Sequence, residues 1–192
     1  HGFDHQEYLN VMDQHRIDTG VLSNTGGRIE QGGDPRKALE LCTIINDAFA
    51  QAHAKHPRRF KAFARLPMVD LDDCVRELDR CYRDLNMHGV ILSTNLAGRY
   101  LDEPEFKPFW DALEAGGKPL FLHPANAPWQ ANWNKYSLHQ KLLWPTDRSL
   151  AISRIVYSGI FDRYPTINLI ASHLGGMILL YLDRLNWRGG NV

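Results

Sequence analysis

The sequence has no surplus of charge of either sign: 22 Lys and Arg balance 22 Asp and Glu. A neutral chain offers no broad basic footprint for nucleic acid or anionic lipid, so neither is expected as a partner. No apolar run approaches the roughly 18 residues of a membrane-spanning helix. The opening residues, His1-Gly2-Phe3-Asp4-His5, carry neither the basic nor the apolar stretch of a secretory signal, and no Met. The sequence is therefore expected to begin partway into a longer chain. Cysteines are few, Cys42, Cys74 and Cys81, and none forms a CxxC pair. Cys74 and Cys81 fall on one expected helix, roughly 10.5 Å apart along its axis. A disulfide tolerates about 7 Å between Cα atoms, so reduced thiols in a cytoplasmic protein are expected. No GxGxxG or Walker-type loop follows any apolar run.

What is present is an alternation of short apolar runs with longer amphipathic ones. Residues 19–23 (TGVLS), 60–66 (FKAFARL), 89–93 (GVILS), 120–123 (LFLH) and 167–173 (INLIASH) read as buried strands. Helices separate them. Residues 6–15 precede the first strand. Asp34 and Pro35 open a long helix, as N-cap and first-turn residue, with Ala38, Leu41, Cys42, Ile45, Ala48, Phe49 and Ala52 on one face. Asp70 or Asp72 starts the next, with Val75, Leu78 and Tyr82 inward. Residues 105–114, 150–161 and 177–187 complete the set. Strand and helix in alternation mean βαβ units and a parallel sheet. The expected class is α/β. Five strands fall short of the eight of a closed (β/α)8 barrel. An open doubly wound sheet is the alternative, and the missing Gly-rich turn counts against it.

Parallel α/β folds place reacting groups at the carboxyl ends of strands, and that ranks the nine histidines. His5, His15, His53, His56, His88 and His139 lie in helices, turns or loops and read as solvated or capping residues. His123 and His173 each end an apolar run, in LFLHP and IASHLGG. A single such imidazole is most simply bonded to a loop carbonyl. Two at the same end of successive strands point to a divalent metal site, or to a ligand beside a general base. Gly175-Gly176 lets the backbone turn sharply after His173. Residues 124–145 are long for a βα loop and hold Asn126, Trp129, Asn132, Trp133, Lys135, Tyr136 and Trp144. They read as a lid over a pocket, or as an excursion packed on neighbouring helices. Arg28, Asn95 and Arg99 are further candidates for the same mouth. Asp147 reads as a carboxylate orienting a metal-bound His, or as a first-turn residue favoured by the helix dipole.

LFLHP followed about fifty residues later by SHLGG resembles the amidohydrolase-related family, which includes aminocarboxymuconate-semialdehyde and γ-resorcylate-type decarboxylases. Residues 12–23 (MDQHRIDTGVLS), 48–69 and 145–164 (PTDRSLAISRIVYSGIFDRY) are similar to it as well, so the resemblance covers nearly the whole chain. It implies one (β/α)8 barrel domain of the metal-dependent hydrolase type over residues 1–192. About five βα units are present, with the first strand and the last two strands missing. It implies His123 as a metal ligand and His173 as the acid–base group beside the metal. The expected substrate contacts are Trp129, Asn126 and Arg28, with Asp147 behind the ligands. The implied cofactor is one divalent ion, zinc first and manganese second. The family's HxH pair and late Asp ligand are absent from these residues. One ligand does not hold zinc tightly, because catalytic sites use about three, so the 192 residues alone are expected to be metal-poor.

The activity implied is non-oxidative decarboxylation of a planar aromatic or conjugated acid. Metal-dependent hydrolysis of an amide, ester or lactone is the alternative. A catalytically inactive barrel segment that serves as an interaction module is the third reading. The expected partner is a small carboxylic acid, in a homodimer or larger homo-oligomer.

Overall fold

The computed structural model describes residues 4–25, 29, 33–126 and 128–186, with Pro128 and Trp129 described by their backbone alone. Helix α1, His5–Gln14, starts where the Asp4 carboxylate accepts the Gln6 and Glu7 amides. Strand β1 is Gly20–Leu22. Helix α2, Pro35–Lys55, opens as its sequence dictates: Asp34 accepts from the Arg36 amide and Pro35 fills the first turn. Strand β2, Phe60–Arg65, leads to α3, Leu71–Arg83, which is capped by Asp70. Strand β3, Gly89–Ser93, is followed by α4, Lys107–Gly116, and by β4, Leu120–His123. Then come α5, Trp144–Tyr157, and the short α6, Ile160–Arg163. Strand β5, Leu169–Ala171, and α7, Leu182–Leu185, complete the order.

The strands form one parallel sheet in the order β1-β2-β3-β4-β5. A doubly wound sheet reverses its order at a switch point, and the ligand binds there. Here the order never reverses, which is the arrangement of consecutive strands in a (β/α) barrel. Side chains alternate between faces along each strand. Val90, Leu92, Leu120 and Leu122 pack with Leu78, Phe106, Phe109, Leu113 and Ile155 in the main core under the helices. Phe63, Arg65, Ile91, Ser93, Phe121 and His123 fall on the other face by that alternation. The register pairs Arg65 with Ile91, Ile91 with Phe121 and Ser93 with His123. Ring contacts run along this face, Phe63 to Phe121 at 6.4 Å and Phe121 to His123 at 6.2 Å. Among the described residues no helix is long and apolar enough to cross a membrane.

Several elements depart from the sequence pattern. On α2, Leu41 and Ala48 are exposed, while Asn46 and His53 are buried. Asn46 donates to Arg65 O at 2.9 Å and to Glu77 Oε1 at 2.7 Å, and accepts from the Arg65 amide at 2.8 Å. A polar latch joining α2, β2 and α3 therefore occupies a place that periodicity assigns to apolar residues. Helix α5 starts at Trp144 rather than at residue 150, because Pro145 suits a first helical turn. The preceding segment is coiled into short turns, Pro128–Trp133, Lys135–Ser137 and a π-turn at His139–Leu143. Residues 177–187, expected as one helix, give a 3-10 turn at Ile178–Tyr181 and then α7. Leu179 and Leu180 stand exposed there. Strand β5 is shorter than expected and stops two residues before His173.

Candidate active site at the carboxyl ends of the strands

His123 is the last residue of β4 and His173 follows β5, so both lie at the carboxyl edge of the sheet. Their ring centroids are 5.4 Å apart, with the planes inclined by 55°. The two imidazoles arrive there by different means. His123 is carried by the strand itself. The Leu122 carbonyl beside it accepts the Ser172 amide, and its own carbonyl accepts the Thr94 amide. Its Nδ1 lies 3.1 Å from Pro124 O. A carbonyl only accepts, so Nδ1 carries the proton and Nε2 keeps a lone pair. That is the tautomer of a histidine able to bind a metal through Nε2.

His173 is carried by a left-handed turn. His173, Leu174, Gly175 and Gly176 have φ of 47°, 58°, 75° and 74°. Non-glycine residues rarely hold positive φ, and such strain gathers at functional sites. What holds the turn is its contact with α5. Ser149 Oγ donates to Pro145 O at 2.8 Å and accepts the Met177 amide at 2.8 Å. A Cβ on Gly176 would come within 2.5 Å of Pro145 O, so only glycine lets the turn dock this closely.

Helix α5 is fixed to the third βα loop as well. Asp147, 1% exposed, accepts from Thr94 Oγ1, from Asn95 Nδ2 at 2.9 Å and from Tyr100 OH at 2.7 Å. Burial, then the Asp147 carboxylate, pushes the Tyr100 phenol upward. Among the described residues no hydrogen bond joins Asp147 to either imidazole. The carboxylate ties α5 to the strand ends, and both histidines sit on the frame so made.

The electrostatics of this edge are positive. Burial lowers the His123 imidazole most, and His173, Arg148 and Arg65 lower it further against the Pro124 hydrogen bond. Burial followed by Arg148 lowers His173. Both rings are therefore held toward the neutral form. Arg65, 2% exposed at the end of β2, donates from Nη1 to Asn24 O at 2.8 Å. Arg148, also 2% exposed, has no hydrogen bond from its Nε.

Of the other residues expected at the mouth, Asn126 lies half-buried three residues after His123. The Trp129 backbone is in the turn at Pro128–Trp133, and Arg28 lies outside the described residues. Arg99 turns instead to Glu105 at 2.6 Å, and Asn95 serves Asp147. Two clefts on the outer helical surface, between Asp102 and Tyr164 and between Val75 and Lys118, include neither imidazole. Among the described residues no group of three His, Cys, Asp or Glu gathers as a metal would need. The reading from sequence missed Arg65 and Arg148. Nothing in the pattern marks Arg65, but an arginine beside Asp147 in the first turn of a helix leading to SHLGG was visible.

The Amidohydrolase family profile matches residues 1–188. A γ-resorcylate decarboxylase from a Rhizobium species is 35% identical over 195 residues, which cover 96% of this chain and 59% of that protein. The crystal structure of 2,6-dihydroxybenzoate decarboxylase from Rhizobium superposes with a TM-score of 0.87 at 31% identity, over 95% of this chain and 59% of that one. A 5-carboxyvanillate decarboxylase from Novosphingobium aromaticivorans, complexed with manganese and 4-hydroxy-3-methoxy-5-nitrobenzoic acid, gives 0.89 at 30% identity, over 94% and 52%. The chain thus spans about 59% of the length of the γ-resorcylate decarboxylase it matches. Its five parallel strands correspond to part of the barrel of these enzymes. With a profile match across nearly all its residues, and with HP and SHLGG histidines meeting at one sheet edge, the chain belongs to the amidohydrolase family.

Proposed function

We propose that the protein carrying this chain is a metal-dependent decarboxylase of a planar aromatic or conjugated carboxylic acid. The observation that carries this reading is the meeting of His123 and His173, 5.4 Å apart, at the carboxyl edge of a sequentially ordered parallel sheet. Support comes from the likeness to decarboxylases whose structures hold benzoate-type ligands.

The described residues fit one part of a divalent centre. His123 has the tautomer and the free Nε2 of a ligand, while about three protein ligands are the norm. Manganese is favoured by two relatives that hold it, and zinc is the other candidate. A divalent ion there would withdraw charge from an oxygen of the substrate. Decarboxylation without oxidation breaks the bond from ring carbon to carboxylate, leaves the electron pair on carbon and replaces CO2 by a proton. His173 is the group placed to move that proton. Its imidazole is held toward neutrality by burial and by Arg148, which suits exchange near pH 7. Asn126, Trp129 and Arg28 belong to this reading as substrate contacts, and Asp147 as the residue that fixes α5 behind them.

The reading includes a cytoplasmic location, supported by the burial of Cys42, Cys74 and Cys81 as cysteines rather than disulfides. It includes self-association, supported by the exposed Leu174, Leu179 and Leu180. The test is mass-detected CO2 release by the complete protein, loaded with manganese or zinc, from a panel of hydroxybenzoates and carboxymuconates. Hydrolysis of amides, esters or lactones in the same assay without CO2 release would replace it with the hydrolase reading.

A further inference from the structure

Arg148 is buried without a reason inside the described protein. It is 2% exposed and, among the described residues, its Nε has no acceptor. Burial lowers its pKa, and Asp147 opposes this only through space. A buried guanidinium N–H without an acceptor is unfavourable. Among the described residues Asp147 makes no hydrogen bond to it, and Thr94, Asn95 and Tyr100 donate to that carboxylate instead.

The position of Arg148 is fixed from both sides. Asp147 before it is tied to the loop after β3. Ser149 after it is tied to the turn that carries His173. Arg148 therefore lies on the segment of α5 that joins the two walls of the mouth, and its charge bears on both imidazoles. Arg65 adds a second positive charge beside His123.

We propose that Arg148 is the anchor for a carboxylate of the substrate, through its guanidinium fork. The inference rests on the aromatic-acid reading above and adds a residue to it. A guanidinium presents parallel N–H donors that match a planar carboxylate, and the pair strengthens away from water. An arginine already desolvated in the free protein loses little further hydration when the acid arrives, so the site is preorganised.

The anchor acts in ground-state binding, so it sets affinity more than turnover. The probes are 2,6-dihydroxybenzoate and resorcinol, which has the same ring and hydroxyls without the carboxylate. Calorimetric titration of the complete protein, stripped of metal by chelation, reads recognition by the chain alone. Wild type is expected to bind the acid at least about 10-fold tighter than resorcinol, and Arg148→Met to lose about 30-fold for the acid but nothing for resorcinol. Arg148→Lys keeps the charge without the fork and falls between, which serves also if the Met variant does not fold. Equal acid binding by folded Arg148→Lys and wild type, or by Arg148→Met and wild type, overturns the proposal. So does a wild type that does not prefer the acid. CO2 release is scored separately. Arg148-dependent acid binding without CO2 release from any acid sinks the decarboxylase reading and leaves the anchor. CO2 release with an unchanged KM in Arg148→Met does the reverse.

Discussion

Of the histidine pairs that meet among the described residues, two lie at opposite ends of the sheet. His53 and His88 lie with ring centroids 4.5 Å apart at the amino ends of the strands. His123 and His173 lie 5.4 Å apart at the carboxyl ends. The first pair is closed. His53 Nδ1 bonds Phe60 O at 2.7 Å, and His88 Nδ1 accepts the Ala62 amide at 3.4 Å. Those bonds join the end of α2 and the start of β3 to β2. The second pair is open. His123 spends one nitrogen on Pro124 O, and His173 makes no hydrogen bond through its ring among the described residues. In parallel barrels the amino face serves stability and the carboxyl face serves chemistry. The same residue in a similar pairing is thus tied into the fold at one end and left with nitrogens to spare at the other.

The strongest way to break this comparison is to delete the proposed ligand from the open pair. His123→Ala in the complete protein is expected to weaken manganese binding by more than about 100-fold, since even supporting groups behind a ligand contribute 10- to 100-fold. Titration followed by electron paramagnetic resonance reads it, and unchanged affinity would remove His123 from the metal site. Next in size is Asp147→Ala, which strands three buried donors under the carboxyl face. A loss of about 3 kcal/mol in urea unfolding is expected, and a loss near zero would mean that α5 is held by something else.

The closed pair makes its own prediction through pH. Burial first, then His53, Lys61 and Lys118, pushes His88 down to about 4. Its folded pKa lies below the unfolded value of about 6.5, so the unfolded chain takes the proton first as pH falls. Above about 6.5 the residue adds no pH dependence. Between 6.5 and 4 it removes stability, on the order of 2 kcal/mol for a partly buried ring. Unfolding midpoints from pH 8 to 4 check this, and His88→Gln should flatten the curve. An identical fall in wild type and variant would assign the loss to other groups. The smallest effect compares two glycines. Gly176→Ala meets Pro145 O, whereas Gly117, with φ of 61°, has nothing near its Cβ position. Both substitutions strain the backbone by about 1 kcal/mol, and Gly176→Ala should lose about 1 kcal/mol more and disturb activity as well. Matching losses would mean that the docked turn carries no added constraint.

Much of this was legible in the sequence, and the gaps have physical causes. Strands β3 and β4 were readable to the residue because each is a compact apolar run, β3 buried on both faces and β4 buried on one and half-buried on the other. Helix α2 announced itself through Asp34-Pro35. Its inward face was misread at Leu41 and Ala48, because the Asn46 latch to Arg65 and Glu77 depends on partners 19 and 31 residues away, which no local period contains. His53 looked solvated for the same reason, since its acceptor belongs to the next strand. At the candidate site His123 and His173 were both visible by position. The turn that aims His173 begins at the histidine itself rather than at the glycines after it. Arg148 went unnoticed because charged residues in first turns are usually solvated, and only packing reveals one that is not.

The most direct test of the account sets one histidine of each pair against the other. CO2 release by metal-loaded complete protein should be measured for wild type, His173→Ala and His53→Ala, each corrected for the folded fraction. The account predicts that His173→Ala lowers kcat by about 10²- to 10⁴-fold, while His53→Ala lowers stability and leaves kcat per folded molecule within about 2-fold of wild type. Equal kcat in His173→Ala and wild type, or a comparable loss in folded His53→Ala, would contradict it.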